Sequence, residues 1–251
     1  VVLDIRKAEE YRAGHIPNAV NVFYGSWAIG KDGLRNQLPA TDDLFDIIGS
    51  AGIDTDSIVV VVDKVDTMTD RVGISRVAWT LRYAGLENVT MLDGGYNKWV
   101  SDKKTVSTEP FKAKAKTYKG KVNDNFFVNK DYVKSRLGKA IIVDTREPDF
   151  YLGKKKLDFV AKAGHIAGAI SMPTSVMYNK DGTLKSKNEL ELMASSAIGK
   201  DITKEVIIYC DTGKFATIWA FLLSDLFGYK NVKVYDGSME EWTKDTGAPM
   251  E

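Results

Sequence analysis

The chain has 251 residues, of which 44% are hydrophobic and 27% are charged, values that are ordinary for a globular protein with a sizeable core. Its net charge of +1 gives no indication of a nucleic-acid or acidic-membrane partner, and no apolar stretch is long enough for a transmembrane helix. A single cysteine excludes an internal disulfide and a cysteine-rich zinc cluster, and it leaves the compartment open between cytoplasm and periplasm.

The first half begins on an apolar run at residues 1–3, without an initiator Met or a basic leader. We therefore expect a removed segment before it, including one strand-to-helix unit of the first domain. A β-branched strand at residues 58–62 and an amphipathic helix at residues 71–84, which stops before Gly85, follow along the chain. Residues 101–125 are rich in lysine and poor in apolar periodicity, which predicts a linker between domains.

The second half has a strand-to-helix entry at residues 126–139, a strand at 141–144, a strand at 206–209 and a helix at 214–227 that stops before Gly228. Strands that alternate with helices predict a parallel sheet covered by helices. We therefore expect an α/β fold with domains at residues 1–104 and 126–251 and a linker at 105–125.

Landmarks of the first half recur in the second half in the same order, which indicates a tandem repeat. The matched pairs are residues 1–6 with 141–146, 14–19 with 164–169, 31–33 with 180–182, 58–62 with 206–209, 88–95 with 231–237, and Trp99 with Trp242.

Cys210 follows the strand at 206–209 and precedes the second-half helix, so it lies at a strand-to-helix turn. Free backbone N–H groups at a helix start favour negative charge, and Gly213 allows the loop to curl into an anion-binding nest. We therefore expect an exposed loop and a thiol pKa below its ordinary value. The alternative is a cysteine buried as a small hydrophobe.

The tandem Asp-x-Arg, Gly-His-Ile, Asp-Gly and Trp pattern resembles the two-domain rhodanese and 3-mercaptopyruvate sulfurtransferase family, and the resemblance extends over essentially the whole chain. It implies two rhodanese-like domains, each a parallel five-stranded sheet flanked by helices, with Cys210 carrying sulfur as a persulfide. The first domain has Asp63 where the cysteine would be, which implies that it is catalytically inactive. The implied donors are thiosulfate or 3-mercaptopyruvate and the acceptor is a thiol or cyanide. We expect no cofactor, no metal and a monomer.

The resemblance also implies a substrate-binding loop that begins at the catalytic cysteine. Its members after Cys210 are Asp211, Thr212, Gly213, Lys214 and Phe215, with Arg146 as a further candidate. Asp211 and Phe215 depart from the family pattern, and Phe150 stands where the thiosulfate-using members have a cation. Lys214 is the best candidate for a substrate-binding charge, and a lysine cluster at residues 154–156 could add to it.

Several assignments remain open at this stage. Arg146 could bind substrate or could be a buried partner of Asp144, whereas His15 and His165 recur in both halves and are better explained by structure. A phosphatase or arsenate reductase would need an arginine at position 216, which is Ala216. A non-catalytic module that carries a persulfide or binds a partner is the remaining alternative.

Overall fold

A computed structural model describes residues 1–251, and short strands alternate with helices throughout. The elements in chain order are β1 (Val2–Asp4), α1 (Ala8–Ala13), β2 (Val20–Asn21), β3 (Ile29–Lys31), β4 (Leu34–Gln37), α2 (Thr41–Ser50), β5 (Val59–Val62), α3 (Met68–Tyr83), β6 (Val89–Met91), α4 (Gly95–Ser101), β7 (Phe127–Val128), α5 (Lys130–Arg136), β8 (Ile141–Asp144), α6 (Pro148–Tyr151), β9 (Ile170–Ser171), α7 (Lys187–Ile198), β10 (Glu205–Tyr209), α8 (Ala216–Phe221), β11 (Asn231–Tyr235) and α9 (Ser238–Trp242).

The chain forms two compact units. Unit 1 consists of Val1–Ile29, Leu38–Asn123 and Tyr178–Leu184, and unit 2 consists of Gly30–Gln37, Asp124–Met177 and Lys185–Glu251. Each unit therefore includes one short segment from the other half of the sequence. No helix combines the length and the apolar character needed to cross a membrane.

Unit 1 contains a four-stranded sheet in the order β2-β1-β5-β6, and all its strands are parallel. β5 is a run of four valines, and such β-branched runs favour strands that are buried on both faces. The helix α3 begins at Met68, earlier than predicted, because Thr67 and Asp70 form a capping box. It ends before Gly85, which has a φ of +93°.

Unit 2 contains a five-stranded parallel sheet in the order β7-β11-β10-β8-β9. The predicted α/β fold of two repeated domains is confirmed. The five-stranded sheet predicted for each domain is found only in unit 2; the sheet of unit 1 has four strands and no counterpart of the edge strand β7. β10 is buried along its whole length, as a central strand must be.

The segment that the sequence suggests as a linker, residues 105–125, has no helix or regular strand and packs against unit 1 as far as Asn123. Its Tyr118 is buried and donates a hydrogen bond to the backbone oxygen of Ala84 at 3.0 Å. Lys116 N donates to Gly49 O at 2.9 Å. The lysine side chains of this segment therefore sit on a backbone that is held in place.

Candidate active site

The cysteine lies at the carboxyl end of β10, where the chain turns toward α8. Only 2% of Cys210 is exposed, and the backbone N–H groups of Thr212, Ala216 and Phe215 act on its sulfur so as to lower the pKa of the thiol. Gly213 permits this turn, because its φ is +72° and a Cβ at this position would lie 2.6 Å from Asp236 O. The strand-to-helix turn and its ring of N–H donors thus take the form that the sequence indicates.

The loop differs from the sequence-based expectation in its burial and in the ionisation of its thiol. Thr212, Gly213 and Lys214 are buried, so the expected exposed loop is wrong. Burial raises the pKa of the Cys210 thiol, and the charge of Asp211 adds to this effect, while the three backbone donors oppose it. The expectation of a lowered thiol pKa is also wrong, because desolvation of the thiolate outweighs the backbone nest.

Asp211 carries an unusual carboxyl group beside the cysteine. Burial raises its pKa to about 6, although the Arg146 guanidinium opposes this shift. The Asp211 Oδ1 atom lies 3.6 Å from Arg146 Nη1, and neither atom has a hydrogen-bond partner. Protonating Asp211, or binding a ligand to it, therefore costs less free energy than it would for an ordinary surface aspartate.

Arg146 is a buried partner of Asp144. Its Nη2 atom donates to Asp144 Oδ2 at 2.6 Å and to Gly164 O at 2.8 Å. Unit 1 has the same arrangement, in which Arg6 Nη2 donates to Asp4 Oδ2 at 2.6 Å and to the backbone oxygen at position 14 at 2.9 Å. Because the unit without a cysteine builds the same clamp, the ion-pair interpretation of Arg146 fits the geometry better than substrate binding.

The two histidines occupy equivalent structural positions. His15 stacks on Tyr11 and its Nδ1 lies 2.8 Å from Tyr11 O, and His165 has the same relation to Tyr151 at 2.8 Å. This repeated arrangement favours the structural role that the sequence suggests for both. No motif in the sequence indicated the tyrosine partners.

Ser238 is a residue of the site that sequence reasoning missed. Its hydroxyl oxygen accepts hydrogen bonds from the backbone nitrogens of Cys210 at 3.2 Å and Gly213 at 2.9 Å, and its hydrogen is donated to Tyr235 O. Ser238 is fully buried and has a φ of +47°, a conformation that strains any residue with a Cβ. The Asp-Gly landmark that precedes it was the available signal.

The hairpin β3–β4 was also missed as part of the site. Within unit 2, Asn36 Nδ2 donates to Thr212 Oγ1 at 2.9 Å, and Arg35 forms an ion pair with the buried Glu240. Glu240 N in turn donates to the backbone oxygen of Asp211 at 2.9 Å. The Lys31-Asp32-Gly33 landmark marks this hairpin in the sequence, but nothing in the sequence predicts what it contacts.

The remaining candidate cations and the atypical loop residue lie as follows. Lys214 is buried within the loop, and the backbone oxygen of Phe215 accepts from Thr174 Oγ1 at 3.0 Å. The lysines of the 154–156 cluster are exposed: Lys154 and Lys155 pair with Asp149, and Lys156 donates to Val160 O. The three lysines of the 154–156 cluster therefore contact local partners.

Comparison with known proteins covers both halves of the chain. A family model described as a rhodanese-like domain matches residues 1–102 and again 129–245. A protein of Mycolicibacterium smegmatis, named provisionally as a thiosulfate sulfurtransferase, is 32% identical over 96% of this chain and 87% of its own length. A Haloferax volcanii protein with the same provisional name is 32% identical over 97% of this chain and 85% of its own length.

A solved structure has the same fold. The anaerobic ergothioneine biosynthesis enzyme of Chlorobium limicola, crystallised with trimethyl histidine, matches all of this chain with a TM-score of 0.86 and 24% identity. This chain spans 64% of that enzyme's length. At this level of identity the likeness concerns the fold alone.

Proposed function

The chain belongs to the rhodanese family of sulfurtransferases, and we propose that it moves a sulfane sulfur from a small donor to a thiophilic acceptor through a persulfide on Cys210. The observation that carries this proposal is the placement of the only cysteine at the end of β10, with three backbone N–H groups directed at its sulfur. The same donors can hold the terminal sulfur of a persulfide, which is also an anion.

The proposed reaction has two balanced steps. The Cys210 thiolate attacks the outer sulfur of thiosulfate, a new S–S bond forms on the cysteine, and sulfite leaves with the electron pair of the broken S–S bond. In the second step cyanide, or a thiolate, attacks the terminal sulfur of the persulfide. Thiocyanate, or a small persulfide, then leaves and the Cys210 thiolate is regenerated.

Each loop residue has a proposed part in this reaction. The backbone N–H groups of Thr212 and Phe215 act on the sulfur, Gly213 permits the turn, Lys214 supplies positive charge for an anionic donor, and Asp211 opposes it. Arg146 acts as a positioning residue through Asp144 and Asp211. In this proposal residues 126–251 are the catalytic domain and residues 1–104 the inactive one, and the protein acts as a monomer.

We propose thiosulfate as a donor, since the relatives of M. smegmatis and H. volcanii carry that name. Thiosulfate is a dianion, and the loop offers one lysine against one aspartate, with Phe150 where a cation would help. A site of this charge should bind thiosulfate weakly, with a Michaelis constant at or above about 1 mM. 3-Mercaptopyruvate, which carries a single carboxylate, is the alternative donor.

The proposal is tested by measuring thiocyanate formation with thiosulfate and with 3-mercaptopyruvate side by side, with cyanide as the acceptor. Intact-mass spectrometry of the protein after donor treatment should show one added sulfur that cyanide removes. An added sulfur that cyanide leaves in place would identify a persulfide carrier instead of a transferase. The absence of added sulfur with both donors would contradict the proposal.

A further inference from the structure

The hairpin β3–β4 has no role in the reaction steps proposed above, although it belongs to the same unit as Cys210. Asp32 and Gly33 form its turn with φ values of +53° and +71°, the left-handed pair that a tight two-residue hairpin requires. The turn therefore fixes the register of the hairpin. Arg35 and Asn36 follow it directly on β4.

Arg35 anchors the hairpin beside the cysteine loop. Its backbone N–H donates to Glu240 Oε2 at 2.9 Å, and its guanidinium pairs with Glu240 Oε1 and lies 4.1 Å from the ring centroid of Phe159. The Glu240 side chain is only 2% exposed, whereas that of Arg35 is 56% exposed. A carboxylate removed from water in this way needs a cation, so Glu240 holds Arg35 in place.

Asn36 determines how the hydroxyl of Thr212 can be used. Asn36 has a φ of +55°, a conformation that asparagine tolerates, and its amide nitrogen donates to Thr212 Oγ1 at 2.9 Å. A hydroxyl that accepts from an amide keeps its own hydrogen for donation. Thr212 is 9% exposed, and its hydroxyl hydrogen has no acceptor in the structure. Buried donors are normally paired, so this hydrogen points to a bound ligand.

We infer that Asn36 is a positioning residue that orients the Thr212 hydroxyl to donate to an oxyanion of the bound sulfur donor, such as a sulfonate oxygen of thiosulfate. This inference rests on the proposed function, because it assumes that the Cys210 loop binds such a donor. Sulfonate oxygens only accept hydrogen bonds, which complements a fixed donor. A neutral donor of this kind is useful in a loop where Asp211 and Lys214 cancel in formal charge.

The corresponding segment of unit 1 provides an internal comparison. Aligned on Lys180-Asp181-Gly182, its Leu184 stands where the first hairpin has Arg35, and Lys185, with which the chain returns to unit 2, stands where that hairpin has Asn36. Leu184 N donates to Asp93 Oδ1 at 2.8 Å, so the backbone contact to a carboxylate is kept. The second copy of this segment therefore has no carboxamide at the position of Asn36, as expected if Asn36 serves the cysteine loop.

The test measures thiosulfate binding by titration calorimetry to Cys210→Ser, a background in which no sulfur can be transferred. In this background, Asn36→Leu and Thr212→Val should each raise the dissociation constant about tenfold, as the loss of one hydrogen bond to a charged group predicts. The combination of both should be no worse than Thr212→Val alone. Gln37→Ala is the matched control, because it removes the next carboxamide of the hairpin, which contacts only backbone oxygens.

Three results would overturn the inference. They are no thiosulfate binding to Cys210→Ser, an unchanged dissociation constant in Asn36→Leu, or an increase in the dissociation constant from Asn36→Leu that is as large in the Thr212→Val variant as in the protein with Thr212. An equal loss in Gln37→Ala would also overturn it, since general disturbance of the hairpin would then be the cause. Persulfide formation by the parent protein is scored separately by intact mass. The proposed function can thus survive the failure of this inference, and its own failure is visible in the mass measurement.

Discussion

The loop after β10 and the loop after β5 leave equivalent strands and are tied to the following Asp-Gly corner in the same way. Met239 N donates to Cys210 O at 3.1 Å, and Tyr96 N donates to Asp63 O at 2.9 Å. At the corner itself the two differ, because Ser238 in unit 2 corresponds to Gly95 in unit 1. Gly95 adopts its φ of +56° without strain, whereas Ser238 adopts +47° despite its Cβ.

This difference separates the requirements of the fold from those of the site. Both units build the Asp-Arg clamp and the histidine–tyrosine stack, so these features support the rhodanese-like fold. Only the unit with the cysteine places a strained serine against the loop, where its hydroxyl holds the backbone nitrogens of Cys210 and Gly213. The loop geometry therefore depends on Ser238 as well as on the cysteine.

The largest effect is expected from Cys210→Ser, which should abolish sulfur transfer. Serine is nearly isosteric with cysteine but is a far weaker nucleophile toward sulfur, so the fold should persist while the persulfide cannot form. Thiocyanate formation and intact mass after donor treatment measure the loss, and circular dichroism checks the fold. Residual turnover above background in the serine variant would show that the persulfide does not form on Cys210.

Ser238→Gly converts the corner of unit 2 to that of unit 1 and should slow persulfide formation by at least about tenfold. Two buried N–H groups lose their acceptor, which costs about 1–3 kcal/mol of transition-state or folding free energy per group, while relief of the φ strain offsets part of the folding cost. Single-turnover mass spectrometry measures the rate, and chemical denaturation measures the stability.

Gly95→Ser is the matched control for that variant. A Cβ at position 95 would lie 2.4 Å from Asp63 O, so this change should lower the free energy of unfolding. It should leave the rate of persulfide formation per folded molecule unchanged. If Ser238→Gly lost stability but kept its rate, Ser238 would matter only for the fold.

Asp211→Asn should lower the Michaelis constant for thiosulfate severalfold at pH 8, and Lys214→Ala should raise it. Burial raises the pKa of Asp211 from 3.8 to about 6, so the parent carries this negative charge at pH 8 and loses it as the pH falls below about 6. The Michaelis constant of the parent should therefore fall between pH 8 and pH 5, and that of the asparagine variant should not. Steady-state kinetics over this range measure both variants.

The same carboxyl group links pH to stability with a defined sign. Because the pKa of Asp211 is higher in the folded protein than in the unfolded chain, the folded protein binds more protons between pH 4 and pH 6, and stability declines as the pH rises through this window. Asp211→Asn should therefore stabilise the protein more at pH 8 than at pH 4. Denaturation curves at the two pH values that showed equal effects would contradict the raised pKa.

The smallest effect is expected from Asp63→Ala, which should change turnover by less than about twofold. Asp63 corresponds to Cys210, but its Oδ1 accepts from the neighbouring Lys64 N at 2.7 Å and so serves its own loop. The measured quantity is kcat/KM with thiosulfate, corrected for any loss of folded protein. A decrease comparable with that of Cys210→Ser would show that unit 1 takes part in the chemistry.

Local patterns were sufficient to predict most of the fold. Runs of β-branched residues such as Val59–Val62 became buried strands, and α3 ended before Gly85 as predicted. α8 is shorter than predicted, because the chain continues after Phe221 as a π-helical turn at Leu222–Leu226 before it reaches Gly228. The repeat predicted two units of one architecture. The position of Cys210 at a strand-to-helix turn also followed from element order alone.

The environment of the cysteine could not be predicted, because it depends on residues distant in sequence. Asn36 reaches Thr212 from 176 positions away, and Ser238 reaches Cys210 from 28 positions away. The polar residues of the loop suggested exposure, and the turn suggested an acidic thiol. The burial of Cys210 reverses both expectations, because desolvation depends on packing that no local pattern encodes.

The enclosure of Cys210 also bears on the durability of the protein. The thiolate is the form that reacts with peroxides and alkylating reagents, and a buried thiol with a raised pKa forms little of it. With no second cysteine in the chain, the sulfur has no internal partner for a disulfide, and its burial keeps it from meeting the cysteine of another copy. We therefore expect the thiol of the resting protein to react more slowly with such reagents than an exposed cysteine does.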